Sequence, residues 1–256
     1  MFMFNKDEYF SYLDTVKLGR NIFIYDEVSS TNDIILNGEF EYGDVVLSLM
    51  QTQGKGRSGR TWYDNGHSLI FSIALNGLDN KILMPLNIIA GYAICNAMSF
   101  YVPVKLKWPN DCVIDGKKVC GMLLESTCIG NDYKKIVFGA GINIFNTNMP
   151  SDIAYKSTNI AQYTNIEVSK ELLLSKILIE MENMMNSYSN GSLSIEALWY
   201  KYSAHYNQEI SIHINGVKTQ MIEKGILPNG ELIVEDINTG TKKNINIGEI
   251  GYDFNS

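Results

Sequence analysis

The segment from Gln51 to Trp62, QTQGKGRSGRTW, concentrates residue types that could do chemistry. Its Gly54, Gly56 and Gly59 fit the spacing G-x-G-x-x-G, which holds a dinucleotide when a strand precedes it and a helix N-terminus follows to receive the pyrophosphate. A strand-like run does precede it, but Trp62-Tyr63-Asp64-Asn65-Gly66 and a second strand-like run follow, so the dinucleotide reading fails on context. Lys55, Arg57 and Arg60 instead alternate with the glycines. Glycine lets a backbone approach a ligand and expose N–H donors, while the bases neutralise an anion. A loop of this kind suits a carboxylate and a phosphate whose mutual repulsion must be cancelled before they react. The other reading is a solvated loop with incidental charge, and composition favours anion binding only modestly over it.

Three further segments carry polar groups at strand or helix junctions. In KLKWPNDCVIDGKKVCGMLLE, from Lys105 to Glu125, the proline restricts Trp108, Asn110 and Asp111 offer polar groups, and Lys117 and Lys118 follow a turn. Taken alone, Asn110-Asp111 reads as a turn and Lys118 as a solvated surface lysine. Gly139-Ala140-Gly141-Ile142-Asn143 places two glycines in a strand-like run, which implies close approach of a ligand, a bulge, or tight packing on a neighbouring strand. Ser30-Thr31-Asn32 is by itself most simply a helix cap.

The elements that must position these groups are legible in outline. Residues 1–20 read as a short helical lead-in, and Asn21 to Tyr25 as a strand. A helix is expected to start at Asp33 after the Ser/Thr/Asn run. Val45 to Met50, Ser68 to Leu75, Val104 to Trp108, Cys112 to Ile114, Lys117 to Glu125 and Lys135 to Ile144 are strand-like, with Asp115-Gly116 as a hairpin turn. Ile82 to Phe100, Val168 to Tyr188 and Ser194 to Ala204 have helical spacing, and 145–165 reads as loop. After about Tyr206, short alternating segments are punctuated by Asn215-Gly216, Pro228-Asn229-Gly230 and Asn238-Thr239-Gly240, a small all-β unit. These features predict two domains, 1–205 and 206–256.

Whole-chain properties narrow the function classes. With 256 residues, 45% hydrophobic and 19% charged, this is an ordinary globular composition. A net charge of −7 argues against a general nucleic-acid binder, which needs a basic face. Cys95, Cys112, Cys120 and Cys128 lack CxxC spacing, and His67, His205 and His213 adjoin none of them, so no zinc site is expected and the cysteines read as reduced core thiols. No signal peptide or membrane span is apparent, which predicts a cytoplasmic protein with no membrane partner.

Four blocks occur in one order: SSTND, then GKGRSGRTW, then KWPND followed by GKKVCGMLLE, then GAGINI. Together they resemble the biotin–protein ligase family, in the same superfamily as lipoate ligases, over residues 22–145. The tail from about 206 is similar to that family's SH3-like C-terminal domain. The resemblance implies a class II synthetase-like α/β (α+β) catalytic domain, a mixed sheet with helices mainly on one face. It implies ATP-dependent activation of biotin to biotinyl-5′-AMP and transfer to a lysine of a biotin carboxyl carrier domain. The alternatives are a lipoate or octanoate ligase on the same scaffold, or a biotin-binding regulator without ligase activity. Some members of the family bind DNA through an N-terminal helix-turn-helix domain. Only about 20 residues precede the first strand here, which predicts no nucleic-acid binding. The oligomeric state stays open, a homodimer being one option.

The resemblance also assigns roles by position. Ser30, Thr31 and Asn32 would border biotin's rings, with Gln51 completing the polar contacts. Lys55, Gly56 and Arg57 would close over its carboxylate and the α-phosphate, with Arg60 and Trp62 near the nucleotide. Lys118 would contact both reacting groups, Asn143 would lie near adenine, and Asn110 and Asp111 near the phosphates and Mg²⁺. Apart from the resemblance, the attacking amine must be neutral, so a nearby acidic group is useful, and Asp111 is the candidate for it. The family loop commonly reads GRGRRGR, so Lys55 and Ser58 replace two arginines here. Lys55 keeps the charge without the planar fork, and Ser58 loses it, which predicts surviving catalysis with weaker retention of the adenylate. GAGIN for the commoner GIGIN is a minor change.

Overall fold

The computed structural model describes residues 4–130, 132–145, 149–214 and 217–252. The turn expected at Asn215-Gly216 and the first three residues of the lead-in lie outside them. Strands β1 (Ile22–Tyr25), β2 (Val45–Ser48), β3 (Ser68–Ala74), β4 (Lys105–Lys107), β5 (Asp111–Ile114), β6 (Lys117–Ile129) and β7 (Asp132–Asn143) build a seven-stranded sheet ordered β1-β2-β3-β7-β6-β5-β4. β1 and β2 run parallel and the other neighbours antiparallel, giving the mixed sheet expected. The helices are α1 (Lys6–Tyr12), α2 (Thr31–Asn37), α3 (Asn80–Leu83), α4 (Leu86–Met98), α5 (Ser151–Ala154), α6 (Lys170–Ser189) and α7 (Ile195–Tyr202). A second, antiparallel sheet contains β8 (Glu209–Ile214), β9 (Val217–Ile226), β10 (Leu232–Asp236), β11 (Lys242–Ile245) and β12 (Glu249–Ile250), ordered β11-β10-β9-β8-β12.

Side-chain alternation along the strands sorts the sheet into two faces. Val45 and Leu47 of β2, Leu69, Phe71 and Ile73 of β3, and Ile136, Phe138, Ala140 and Ile142 of β7 join one large core with α4 and α6. Val46, Ala74 and Val137 point the other way and form a small cluster with Ile35 of α2. Helices therefore cover one face almost fully, while α2 covers only part of the other. The rest of that second face is free to be a floor.

Local chemistry explains where the elements differ from expectation. The lead-in helix stops at Tyr12 because Leu13 is extended and the Val16, Lys17 and Leu18 amides donate to the Glu182 carboxylate at 2.6–2.9 Å. The helix expected over 82–100 is two helices, α3 and α4, separated at Pro85, whose ring lacks the N–H that a continuous helix needs. α2 begins at Thr31, two residues before Asp33, and Ser30 occupies its N-cap position without a side-chain capping bond. Asp115 and Gly116 both adopt positive φ, 49° and 74°, as a tight two-residue hairpin requires. The strands flanking the next turn run further than expected, to Ile129 and from Asp132, and 145–165 holds α5 and a 3-10 turn at Ile160–Gln162. Cys128 is exposed rather than a core thiol, lying near the solvent end of β6, whereas Cys95, Cys112 and Cys120 are buried.

The small sheet is joined to the helical layer by a buried carboxylate. Glu223 of β9 accepts hydrogen bonds from Trp199 Nε1 at 2.8 Å and Ser203 Oγ at 2.6 Å. Burial raises its pKa from 4.5 to about 7, against the opposing effect of those two bonds. The folded state thus keeps a proton that the unfolded chain releases above its own lower pKa. The contribution of Glu223 to stability falls as pH rises through 4.5 to about 7 and is flat above. Glu223→Gln keeps the site neutral, so its stability relative to the parent should increase over that window, by at most about 3 kcal/mol. Urea unfolding of both proteins at about pH 5 and pH 8 checks this; an equal difference at both would show that Glu223 ionises normally in the fold.

Candidate active site

The uncovered part of the sheet floors a cavity of about 450 Å³. Every residue to which the resemblance assigned a role lines it: Ser30, Thr31, Asn32, Gln51, Lys55, Gly56, Arg57, Arg60, Trp62, Asn110, Asp111, Lys118 and Asn143. They fall into a neutral polar group near α2 and a charged group where β4, β5 and β6 meet.

In the neutral group, Gln51 Oε1 accepts from the Thr31 amide at 2.7 Å and from Thr31 Oγ1 at 3.1 Å. The Gln51 amide donates to Asp64 at 2.9 Å, which fixes the residue at the mouth of the glycine-rich segment. Ser72 Oγ lies 2.6 Å from Asn32 Oδ1 and 2.7 Å from Thr31 Oγ1, and Asn32 Nδ2 donates to Glu125 at 2.7 Å. Buried polar groups without partners are costly, so this mesh holds its members in fixed orientations. Ser72 and Glu125 were missed from the sequence. Ser72 carried a signal, a lone hydroxyl inside the apolar run SLIFSIAL.

The glycine-rich segment folds on itself as a tight loop. Trp62 donates its amide to Gly54 O at 2.8 Å and Gly56 to Arg60 O at 2.7 Å, while Ser58 and Gly59 take positive φ of 56° and 73°. The Gly56 amide is therefore used inside the loop rather than offered to a ligand. Lys55 pairs with Asp33 of α2 at 2.5 Å. Arg60 forks onto Glu249 through contacts of 2.7 and 2.8 Å, and Arg57 donates to Gly248 O at 3.3 Å. The Glu249 bond raises the pKa of Arg60, and burial lowers that of Arg57.

Close approach explains the strand glycines. A Cβ on Gly139 would meet Asn32 Oδ1 at 2.2 Å, and one on Gly141 would meet the Trp62 indole at 2.5 Å. Trp62 thus lies flat on the floor, against Gly141 and Gly121, with Lys118 Nζ 5.6 Å from its ring centre. Its buried Nε1 has no hydrogen-bond partner among the described residues.

The charged group centres on Asp111, which is 4% exposed. Lys118 Nζ lies 2.6 Å from Oδ1, Tyr252 donates its hydroxyl to Oδ2 at 2.5 Å, and Lys107 Nζ stands 3.9 Å away. Burial works to raise the Asp111 pKa, but the charges of Lys118 and Lys107 and the two hydrogen bonds hold it below the ordinary value. Burial pushes the Lys107 ammonium down to about 8, against the attraction of Asp111, and the cation sits 3.5 Å from the centre of the Tyr252 ring. Lys107, Glu249 and Tyr252 were also missed. Lys107 could have been found as the residue four before Asp111 on one strand-turn unit, whereas Glu249 and Tyr252 have no local signal.

Asn110 and Asn143 line the cavity while serving its walls. Asn110 Nδ2 donates to Met122 O at 2.5 Å, and Asn143 Nδ2 to Thr158 O at 3.0 Å. The turn holding Asn110 has a cis peptide at Trp108-Pro109. Lys118 is placed by its backbone, which bonds Lys156 O and the Thr158 amide at 2.8 Å each. Among the described residues no cluster of three His, Cys, Asp or Glu could hold a metal, and no helix is long and apolar enough to cross a membrane.

Residues 25–143, which supply most of this cavity, match the model of the biotin/lipoate A/B protein ligase family. That match spans just under half of the chain. Among its relatives, "Biotin--protein ligase 1, chloroplastic" of Arabidopsis thaliana is 24% identical over 238 residues, 89% of this chain and 64% of that protein. "Bifunctional ligase/repressor BirA" of Bacillus subtilis is 25% identical over 201 residues, 75% of this chain and 62% of that protein. The chain thus spans less than two thirds of the length of either. The biotin protein ligase of Aquifex aeolicus, solved in complex with biotin and ATP, superposes with a TM-score of 0.78 at 25% identity, covering 91% of this chain and 98% of that one.

The floor contact is open to a direct test. Gly141→Ala should force the Trp62 indole away and cost about 1–3 kcal/mol. The same substitution made in a Trp62→Ala background should cost markedly less. Equal costs in both backgrounds, measured by denaturant unfolding, would mean that the indole does not rest on Gly141.

Proposed function

We propose that the protein is a biotin–protein ligase, which converts biotin and ATP to biotinyl-5′-AMP and transfers the biotinyl group to a lysine of a biotin carboxyl carrier domain. One observation carries this reading: a single cavity has a neutral, hydrogen-bonding end at Thr31, Asn32, Gln51 and Ser30, and a cationic end at Arg57 and Lys118. That polarity matches a substrate with a polar ring system at one end and a carboxylate at the other. Lipoate or octanoate would set an apolar group against buried polar side chains, which a site built for hydrogen bonding rejects strongly. In this reading residues 1–205 are the catalytic unit, and 206–256 a small SH3-like unit that reaches the site through its last strand.

In the first step a carboxylate oxygen of biotin attacks the α-phosphorus of ATP and pyrophosphate departs. Lys118, Arg57 and Arg60 cancel charge between the two anions, and the rest is positioning. Trp62 and Asn143 flank the nucleotide, and Lys55 and Gly56 close the loop over the biotin tail. In the second step the acceptor amine attacks the carbonyl carbon, the bond to phosphate breaks, AMP leaves with the electron pair, and the amine's proton passes to Asp111. The residues present do not fit a protein-held Mg²⁺: the charge of Asp111 is already compensated by two lysines. Magnesium is assigned to the nucleotide, as Mg·ATP. A net charge of −7 argues against a general nucleic-acid partner.

Incubation with Mg·ATP, biotin and a biotin carboxyl carrier domain, followed by intact-mass spectrometry of the acceptor, tests the reading. A biotin-sized gain is expected, reduced about 10²–10³-fold in rate by Arg57→Ala or Lys118→Ala. Gain with lipoate on a lipoyl domain instead would move the activity to the other branch of the family. Tight biotin binding without transfer would make the chain a biotin-binding regulator.

A further inference from the structure

In the second half-reaction the acceptor amine must come within hydrogen-bond reach of Asp111, whose two oxygens are faced by Lys118 at Oδ1 and by the Tyr252 hydroxyl at Oδ2. Lys118 is needed where the charges develop, so the Tyr252 hydroxyl is the partner that the amine would replace. Burial first, and then the Asp111 charge, raise the pKa of that phenol far above its ordinary value, so Tyr252 is a hydrogen-bond donor at every working pH. A neutral amine arriving at Asp111 would present the same kind of donor to the same oxygen.

The segment bearing Tyr252 is tied to the loop that would hold the adenylate. Arg57 donates to Gly248 O, and Arg60 forks onto Glu249, within five residues of Tyr252. These are the arginines whose charge an adenylate would claim. Once they turn to the phosphate, the bonds to Gly248 and Glu249 are lost and the segment loses its anchors on the loop.

We propose that Tyr252 is a positioning residue that holds the acceptor amine's place on Asp111 until Arg57 and Arg60 have turned to the bound phosphate, so that the C-terminal segment keeps the acceptor lysine out until the first half-reaction is under way. This rests on the ligase reading above. While the arginines hold Gly248 and Glu249, the tyrosine ring fills the acceptor's approach, and its hydroxyl keeps Asp111 oriented. Once they exchange Gly248 and Glu249 for the phosphate, Tyr252 is held by Asp111 alone, and the acceptor lysine competes for that hydrogen bond and then gives its proton to Asp111.

The test separates the half-reactions in the full-length protein. Biotin-dependent ATP–pyrophosphate exchange reports adenylation, and single-turnover transfer from preformed adenylate reports the second step. Tyr252→Phe keeps the ring over Lys107 but removes the competing hydroxyl, so the KM for the carrier domain should fall about 10-fold, the scale of one hydrogen bond to a charged group. Glu249→Gln should lower it in the same direction by loosening the segment. Tyr252→Ala, which also opens the approach to water, should shorten the lifetime of the adenylate without acceptor. An unchanged or raised acceptor KM in Tyr252→Phe, or equal losses in adenylation and transfer, would overturn the proposal while leaving the ligase reading intact. A parent protein that forms no acyl-adenylate at all would overturn both.

Discussion

A buried carboxylate between two lysines is the constraint around which this site is arranged. Asp111 and Lys107 are almost fully enclosed, at 4% and 2% exposure. Removing a charge from water costs several kcal/mol, and the cost is met only when partners are held in place. Two nearby segments and one distant one supply them. The β4–β5 turn sets Lys107 beside Asp111, the Asp115-Gly116 hairpin returns Lys118 to its other oxygen, and the end of the small sheet brings Tyr252. The cluster therefore requires both sheets, and its geometry depends on their contact.

That contact is itself polar and specific. Trp108 Nε1 donates to Gly230 O at 3.1 Å, Ala204 N to Leu106 O at 2.8 Å, and Glu223 takes two donors from the helical layer. Each bond contributes modestly, but a buried donor or acceptor left alone would cost more than the bond gains. The small sheet is thereby held in register with the strand-turn unit that carries Lys107 and Asp111. Positioning of the charged end and anchoring of the second sheet are one problem with one solution.

Periodicity and turn chemistry made the scaffold legible. Short apolar runs announced the strands β2, β3 and β7, and Asp115-Gly116 announced the hairpin that delivers Lys118. The glycines of Gly139-Ala140-Gly141 signalled close approach without saying of what, since the approaching groups, Asn32 and Trp62, lie far away in sequence. Pro85 was visible and should have divided the helix it interrupts. Glu249 and Tyr252 were beyond reach, because their partners Arg60 and Asp111 are 189 and 141 residues distant and no local pattern marks them. The resemblance of four ordered blocks grouped the cavity residues, a grouping that spacing alone left open. It could not show that Asn110 and Asn143 spend their amide groups on the cavity walls.

The two departures in the glycine-rich loop acquire a physical meaning from its shape. Ser58 sits at φ 56°, a left-handed conformation that serine tolerates with some strain, beside Gly59 at 73°. A long charged side chain is not needed to build that corner, so replacing an arginine there changes charge without changing the turn. Lys55 is held by Asp33 on α2, the helix whose first residues form the neutral end of the cavity. A compact ammonium can satisfy one carboxylate but lacks the planar fork with which arginine engages two groups at once. The loop is thus latched to the neutral end by a single ion pair, 45% and 27% exposed at its two side chains, where such pairs contribute little. Its other end, through Arg57 and Arg60, is tied to the C-terminal segment. In the proposed ligase reading, a weak latch on one side and an exchangeable one on the other would leave the anionic substrate as the strongest partner available to the loop, and its charge would govern closure, with less of a permanent hold than two further arginines would provide.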